Sequence, residues 1–348
     1  MDLEAPQFVI GCDDLEPTVE WFTSNAGFRM VMLQPADDPS VAVLEGHGVS
    51  VRLDRSMPSG ASGLRIAVME LPDESRLVAP NGTVVEFIRV DAPMLLGENC
   101  PEFVHDRALD ATFGTGRAGM QYRDLIPERQ GGRYIASHIR ISEGGPVLDY
   151  VHHHQIRFQM IFCHAGWADL VYEDQGPSFR FEAGDCVLQP PHIRHRVLET
   201  SDAFEVVEIG SPAAHETFRD HDLELPTTTI DRNRDFGGQL FVWHRGAAAT
   251  ASPWRFDGFS YVDFGIDGAT SGLAEVGIVR AESGAELPRH LPDHEFLFWF
   301  VRSGSATLHR NDETHSLVAR DGVTLAPHES HALTDVSDDF EVLEVRVS

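Results

Sequence analysis

Lysine is absent from this chain. All 27 basic residues are arginine, so no Schiff base can form with pyridoxal phosphate or a carbonyl substrate, and no P-loop lysine is available. Cysteine is scarce. Cys12, Cys100, Cys163 and Cys186 stand far apart without a Cys-x-x-Cys pair, the pattern of reduced, buried thiols rather than of disulfides or a zinc site. No apolar run approaches the ~20 residues that span a bilayer, and MDLEAPQ lacks the basic-then-apolar order of a signal peptide; a soluble, cytoplasmic protein is expected. Positive charge is outweighed, and a formal net charge of −28 repels nucleic acid and anionic membranes, so neither is expected as a partner. Gly-x-Gly-x-x-Gly, P-loop, Gly-x-Ser-x-Gly and His-Glu-x-x-His stretches are also missing. Their absence removes the dinucleotide, nucleotide, serine-hydrolase and zincin classes.

What the chain does have is length and a β pattern. Its 348 residues suffice for two or three domains. In residues 1–90 a short strand, FVIG, precedes a helix through LEPTVEWFTSNAGF, with Asp14 placed to cap it and Gly27 just past its end. Strands follow near FRMVML, VAVLEG, VSVRLD, LRIAVMEL and TVVEFIRV. Residues 91–130 are rich in Asp, Pro, Gly and Arg and read as a linker. Residues 131–212 then show short strands at regular spacing, which suggests a sandwich or barrel. A second linker, 213–240, leads to a similar run over 241–348.

The histidines carry the chemistry. His152 and His154 stand two apart in a strand-like run, so both side chains leave one face of the pleat, and PPHIRH brings His195 to the start of another strand. Two imidazoles from one strand and a third from a neighbour can close on one divalent metal inside a barrel. His153 points the opposite way, and His192 falls on the turn. The order then recurs: aligning His152 with His290 places Gly166 on Gly304, each fourteen residues on, and His195 matches His331 at the close of PHIRH and PHESH. The chain therefore holds an internal repeat whose unit is a β-barrel.

These residues resemble the cupin superfamily, and the region 131–348 resembles a bicupin. The first motif of that family is matched by Gly145, His152, His154, Gln159 and Gly166, and the second by Gly184, Pro190, Pro191 and His195. Two departures stand out: Gln159 takes the usual glutamate position, and one extra residue precedes the His-x-His pair. The resemblance implies a mainly β fold of two double-stranded β-helix barrels, with a divalent transition metal on His152, His154, Gln159 and His195. Neutral imidazoles suit Fe, Mn, Ni, Co and Zn, and three of them leave open positions for substrate or dioxygen; Fe(II) is favoured. Residues 1–90, in the order β-α-β-β-β with NAGFR after the helix and APNGTVVEFIRV at the end, resemble the vicinal-oxygen-chelate (glyoxalase) family with a truncated second repeat. Only Glu86 fits that family's ligand positions, while the first strand carries Gln7 and Phe8, so packing or dimerisation is expected of this module rather than metal binding.

Around the first site, RYIASHIRI places Tyr134, His138 and Arg140 on one strand face. If that face lines the barrel, His138 can shuttle a proton, and Arg140 and Arg157 can hold a substrate carboxylate. In the second barrel His290 and His331 are retained, the second histidine of the pair is Pro292, and Leu297 stands at the Glu/Gln position. His294 could replace the missing ligand, so His290, His294 and His331 form a possible second site in a degenerate barrel. The function expected is a metal-dependent enzyme acting on a small, polar, carboxylate-bearing molecule, with a non-haem dioxygenase first and an isomerase or lyase close behind. A non-catalytic binding or sensor bicupin is the alternative. A homodimer is expected by analogy.

Overall fold

The computed structural model describes residues 6–25, 27–46, 48–58, 62–78, 84–89, 94–116 and 120–348. Residues 79–83 of the APNGTVVEFIRV ending, and parts of the first linker (91–93 and 117–119), lie outside the described residues. Among those described, no helix is long and apolar enough to cross a membrane. The chain is mostly β, and its residues group into two compact units.

One unit comprises Met1–Leu95, Tyr150–Gln155 and Ala214–Leu223. Strand Gln7–Gly11, helix Leu15–Asn25, and strands Arg29–Gln34, Val41–Gly46 and Val49–Asp54 follow in the β-α-β-β-β order. The first strand pairs in parallel with Val49–Asp54, Phe8 opposite Val51. Leu15, Val19 and Phe22 recur at helical spacing and pack on Ala42, Leu44 and Leu53 of the sheet. Strand Ser62–Val68 then pairs in parallel with Val84–Arg89, with the short strand Arg76–Val78 rather than a helix described between them. On its other edge the sheet continues. Glu216–Arg219, in the segment expected as a linker, pairs with Arg29–Gln34 through Met32↔Phe218 and Leu33↔Thr217. It pairs in turn with strand His152–Gln155 through His152↔Arg219 and His154↔Thr217. Alternation in ETFR explains the insertion: Phe218 packs with Met32, Val41 and Val43, and Thr217 points to the opposite, buried face.

The second unit contains two seven-stranded sheets. One has the order Val242–His244, Cys186–Leu188, Phe158–Ala165, Phe204–Ser211, Ile135–Ile141, Gln121–Asp124, Gly114–Thr115. The other runs Ser252–Pro253, Phe259–Asp263, Ala274–Ala281, Glu341–Val347, Phe296–Ser303, Gly322–Thr324, Val104–Asp106. Both faces of these sheets are covered, so their strands read as near-continuous apolar runs. Tyr134, Ala136, Phe158, Met160 and Phe162 of the first pack with Phe296, Phe298, Phe300 and Val345 of the second in one buried seam. The opposite faces form the barrel interiors, with Ile139, Cys163, Val187 and Val206 in the first and Leu297, Trp299, Val323 and Val342 in the second.

Two strands cross between the barrels, one from the first expected linker and one from the start of the run expected as the second barrel. Val104–Asp106, which precedes the first barrel, pairs with Gly322–Thr324 of the second. Val242–His244, which precedes the second barrel, pairs with Cys186–Leu188 of the first. Asp185 grips one crossing by accepting from Trp243 Nε1 (3.1 Å) and Gly246 N (2.8 Å). Asp321 grips the other, through His105 Nε2 (2.9 Å) and Ala108 N (2.7 Å). Gly166 and Gly304 confirm the internal repeat, since both adopt φ +72°, and a Cβ at Gly304 would fall 2.5 Å from Phe340 Cα.

Candidate metal centre

Strand alternation buries His152 and His154 and turns His153 outward, where it stacks on Phe218 at 5.2 Å. His152 Nδ1 lies 2.8 Å from the Tyr150 carbonyl, and His154 Nδ1 lies 2.9 Å from Thr217 Oγ1. His195, also buried, begins strand His195–Thr200 after the PPHI turn, on which exposed His192 adopts φ +64°. His195 Nδ1 lies 3.0 Å from the Ile193 carbonyl. A carbonyl can only accept, so the ring nitrogen facing it in His152 and in His195 is the protonated Nδ1, and Nε2 is the atom each ring would offer to a metal. One ligand atom from each of His152, His154 and His195 lies within 4.8 Å of the others, the only such group of His, Cys, Asp or Glu among the described residues.

Beside His195 the interior face of the first barrel carries a polar chain. Gln189 Nε2 donates to His195 Nε2 (3.1 Å), Tyr172 Oη donates to Gln189 Oε1 (2.9 Å), and Gln189 Nε2 lies 3.4 Å from Gln159 Oε1. Gln159, buried, donates from Nε2 to Glu208 Oε1 at 2.6 Å. The donor set therefore fits a divalent ion held by neutral imidazoles, with amides and one carboxylate arranged around His195. Sequence reasoning missed Thr217, His215, Gln189 and Glu208. His215, whose ring centroid is 5.2 Å from that of His154, sits in the segment expected as a linker. Glu208 did leave a signal: it stands in FEVVE, and Glu344 stands in FEVLE, each thirteen residues after His195 and His331.

The expected catalytic residues lie elsewhere. His138 shares a strand face with Val207 and Phe162, through the pairings His138↔Val207 and Phe162↔Val207, and that is the seam face. Ser137 and Ile139 occupy the interior face instead. His138 Nε2 binds Glu205 Oε2 at 3.0 Å. Arg140 donates to Gln121 Oε1 (2.7 Å) and its guanidinium lies 3.8 Å over the Phe113 ring. Arg157 pairs with Glu295 (3.1 Å) and the Ser348 carbonyl (3.3 Å). For His138 and Arg140 the reason is that on a strand buried on both faces polarity does not identify the side that faces the barrel interior.

In the second barrel His290 and His331 come together, their ring centroids 4.1 Å apart, but His294 does not complete a three-ligand group with them. Pro292 and Leu297 supply no donor at the positions of His154 and Gln159.

No family model matches the chain, and none of the curated proteins matches it. Among solved structures, a point variant of Bacillus subtilis oxalate decarboxylase matches with TM-score 0.52 at 14% identity, over 70% of this chain and 77% of that one. A structure from work on the Mn(II) centres of the same enzyme matches with TM-score 0.52 at 13% identity over the same shares. The structure of that enzyme at pH 4.6 gives 0.50 at 14% identity, over 70% and 76%. The fold is that of a bicupin. At these identities the likeness carries the fold alone, and chemistry has to be argued from the site.

Proposed function

We propose that this bicupin is a metal-dependent enzyme whose first barrel holds one divalent transition ion, Mn(II) or Fe(II), on His152, His154 and His195, and that it cleaves a small carboxylate as a lyase. The observation that carries the reading is the convergence of three buried histidine ligand atoms within 4.8 Å. A decarboxylase studied for its Mn(II) centres shares the fold, so the fold accommodates this metal and this reaction class without assigning them. A dication at such a site supplies Lewis acidity to a ligated carboxylate. Arg140 lies on the seam face and Arg157 pairs with Glu295, whereas Gln159 and Gln189 lie next to His195, so these neutral amides are the groups assigned to orient the substrate. Glu208, held by Gln159, is assigned the proton-handling role. An Fe(II) dioxygenase is the second reading, favoured by the all-neutral imidazole set, which leaves several positions for substrate and oxygen.

The test begins with metal content of tag-free protein beside a His152→Ala, His195→Ala double variant. About one Mn or Fe per chain, lost in the variant, is expected from the ligand set. Oxalate and other small di- and keto-acids are then offered while CO2 release and O2 uptake are followed. Release of CO2 without stoichiometric O2 uptake supports the lyase, and stoichiometric uptake supports the dioxygenase. No metal in either protein after anaerobic loading overturns both. We further assign the N-terminal module, a truncated chelate-type fold, a packing role in a homodimer, which sedimentation velocity would check.

A further inference from the structure

We infer that the second barrel has replaced its metal ion with an arginine: the Arg255 guanidinium is a built-in cation held by Glu344 beside His290 and His331, and it excludes metal from a site whose ligand geometry is otherwise partly preserved. The preserved part is visible in the histidines. In the first barrel His152 and His195 each present Nδ1 to the carbonyl two residues earlier. In the second, His290 Nδ1 lies 3.0 Å from the Pro288 carbonyl and His331 Nδ1 lies 3.5 Å from the Glu329 carbonyl, the same offset. His331 is fully buried, and its Nε2 has no hydrogen-bond partner. Burial, with the neighbouring His290 ring, holds His331 down to about 3, so the ring is neutral, as a metal ligand would be.

The replaced part is the charge. Glu344 is fully buried, and a carboxylate there requires a cation. Arg255 supplies it as a two-pronged pair, Nη1 to Oε1 at 2.8 Å and Nη2 to Oε2 at 2.9 Å. Trp299 Nε1 adds a third bond to Oε2 at 2.9 Å, and Arg346 Nε lies 3.2 Å from Oε1. The guanidinium is fixed from outside by Trp254, whose ring centroid is 4.1 Å away. Both carboxylate oxygens are thus committed, and a dication entering beside His290 and His331 would meet a positive charge already in place. At the equivalent position of the first barrel Glu208 accepts from the neutral Gln159 amide at 2.6 Å. With Pro292 and Leu297 supplying no donor, the second barrel keeps His290, His331 and Glu344, and Arg255 occupies the carboxylate that a metal would need.

The experiment uses full-length, tag-free protein carrying His152→Ala and His195→Ala, which makes its outcome independent of the first-barrel reading. After zinc loading and dialysis this protein is expected to hold less than about 0.1 zinc per chain. Adding Arg255→Met is expected to raise zinc to about one per chain and to make the melting temperature climb with log zinc concentration, as binding to the native state alone requires. A further Glu344→Gln should abolish both effects. Zinc retained with Arg255 intact, and lost on His290→Ala with His331→Ala, overturns the proposal; so does an Arg255→Met protein that folds and takes up none. If Arg255→Met does not fold even with zinc, Arg255→Met with Glu344→Gln decides. That protein should fold if Arg255 serves as counter-charge to Glu344, and its failure to fold overturns the proposal.

Discussion

Thr217→Val is the sharpest test of the histidine assignment, because it leaves all three proposed ligands in place. Thr217 is buried, and its Oγ1 stands 2.9 Å from His154 Nδ1 on the paired strand. Valine keeps the shape and removes the oxygen, so the ring loses the contact that fixes its orientation and its Nδ1–H loses its acceptor. Removing such an orienting partner typically costs 10–100-fold in metal affinity, or about 1.4–2.8 kcal/mol of binding free energy. The unsatisfied buried donor costs folding a further ~1–3 kcal/mol. With an unfolding entropy of about 2.1 cal/mol/K per residue, a chain of this length would lose only about 1–4 °C in Tm. The assay is competition for Mn(II) against a chelator of known affinity, on protein shown to be folded at the assay temperature. Thr217→Ser, which keeps the hydroxyl, should stay within about twofold of the natural chain. A Mn(II) affinity unchanged by Thr217→Val, together with the expected fall in Tm, would refute the reasoning. It would mean that the Thr217 contact stabilises the strand and that His154 is not a ligand.

Other outcomes follow from named contacts. Gln159→Glu would set two carboxylates about 2.6 Å apart beside Glu208; the pair should share a proton near neutral pH, and urea titration should show apo-protein stability falling by a few kcal/mol from pH 5 to 8, on the scale of one strongly shifted group. Glu295 bridges Arg133 (2.7 Å), Tyr134 Oη (2.6 Å) and Arg157 (3.1 Å); burial alone would raise its carboxyl, but these hydrogen bonds outweigh burial and hold it down to about 2. Its contribution is therefore complete above the unfolded value of about 4.3 and lost as pH falls through 2, so Glu295→Gln should cost roughly 2 kcal/mol at pH 7 and clearly less near pH 3 in urea unfolding. Phe218→Ala, which strips the contact with Met32, Val41 and Val43, should weaken Mn(II) binding severalfold in the same competition assay, because it loosens the strand that holds Thr217.

Much of this fold was legible because periodicity and repetition are local signals. The β-α-β-β-β order of the first 54 residues, the two barrels and the paired glycines Gly166 and Gly304 all follow from spacing. Alternation also separated His152 and His154 from His153. Two things were not legible. Which face of Ile135–Ile141 lines a barrel depends on what covers each side, and the seam formed with Phe296, Phe298 and Phe300 inverts the choice that polarity suggests. The destinations of Val104–Asp106, Glu216–Arg219 and Val242–His244 depend on pairings more than fifty residues away, and strands of three or four residues carry no record of them. Glu208 was missed for a different reason, since its meaning comes from comparison with Glu344 rather than from either position alone.

The strand exchange and the strand insertion bear on why the two barrels differ. His152–Gln155 reads HHHQ, with no apolar residue to hold its register against a core. Glu216–Arg219 fixes it along one side, and that strand is anchored in turn on Arg29–Gln34 of the N-terminal module. The corresponding strand of the second barrel, Leu287–His290, has no comparable support among the described residues; its pairing with His331–Thr334 is irregular, passing from Leu287↔Leu333 to His290↔His331. A three-histidine site demands register fixed to a fraction of an ångström, whereas a guanidinium paired to one carboxylate tolerates more slack in the strand beside it. If the three histidines hold the metal as proposed, truncating the N-terminal module should weaken its binding, because Arg29–Gln34 backs the strand that pairs with His152–Gln155. The second barrel, lacking that support, keeps its charge balance through Arg255 and Glu344.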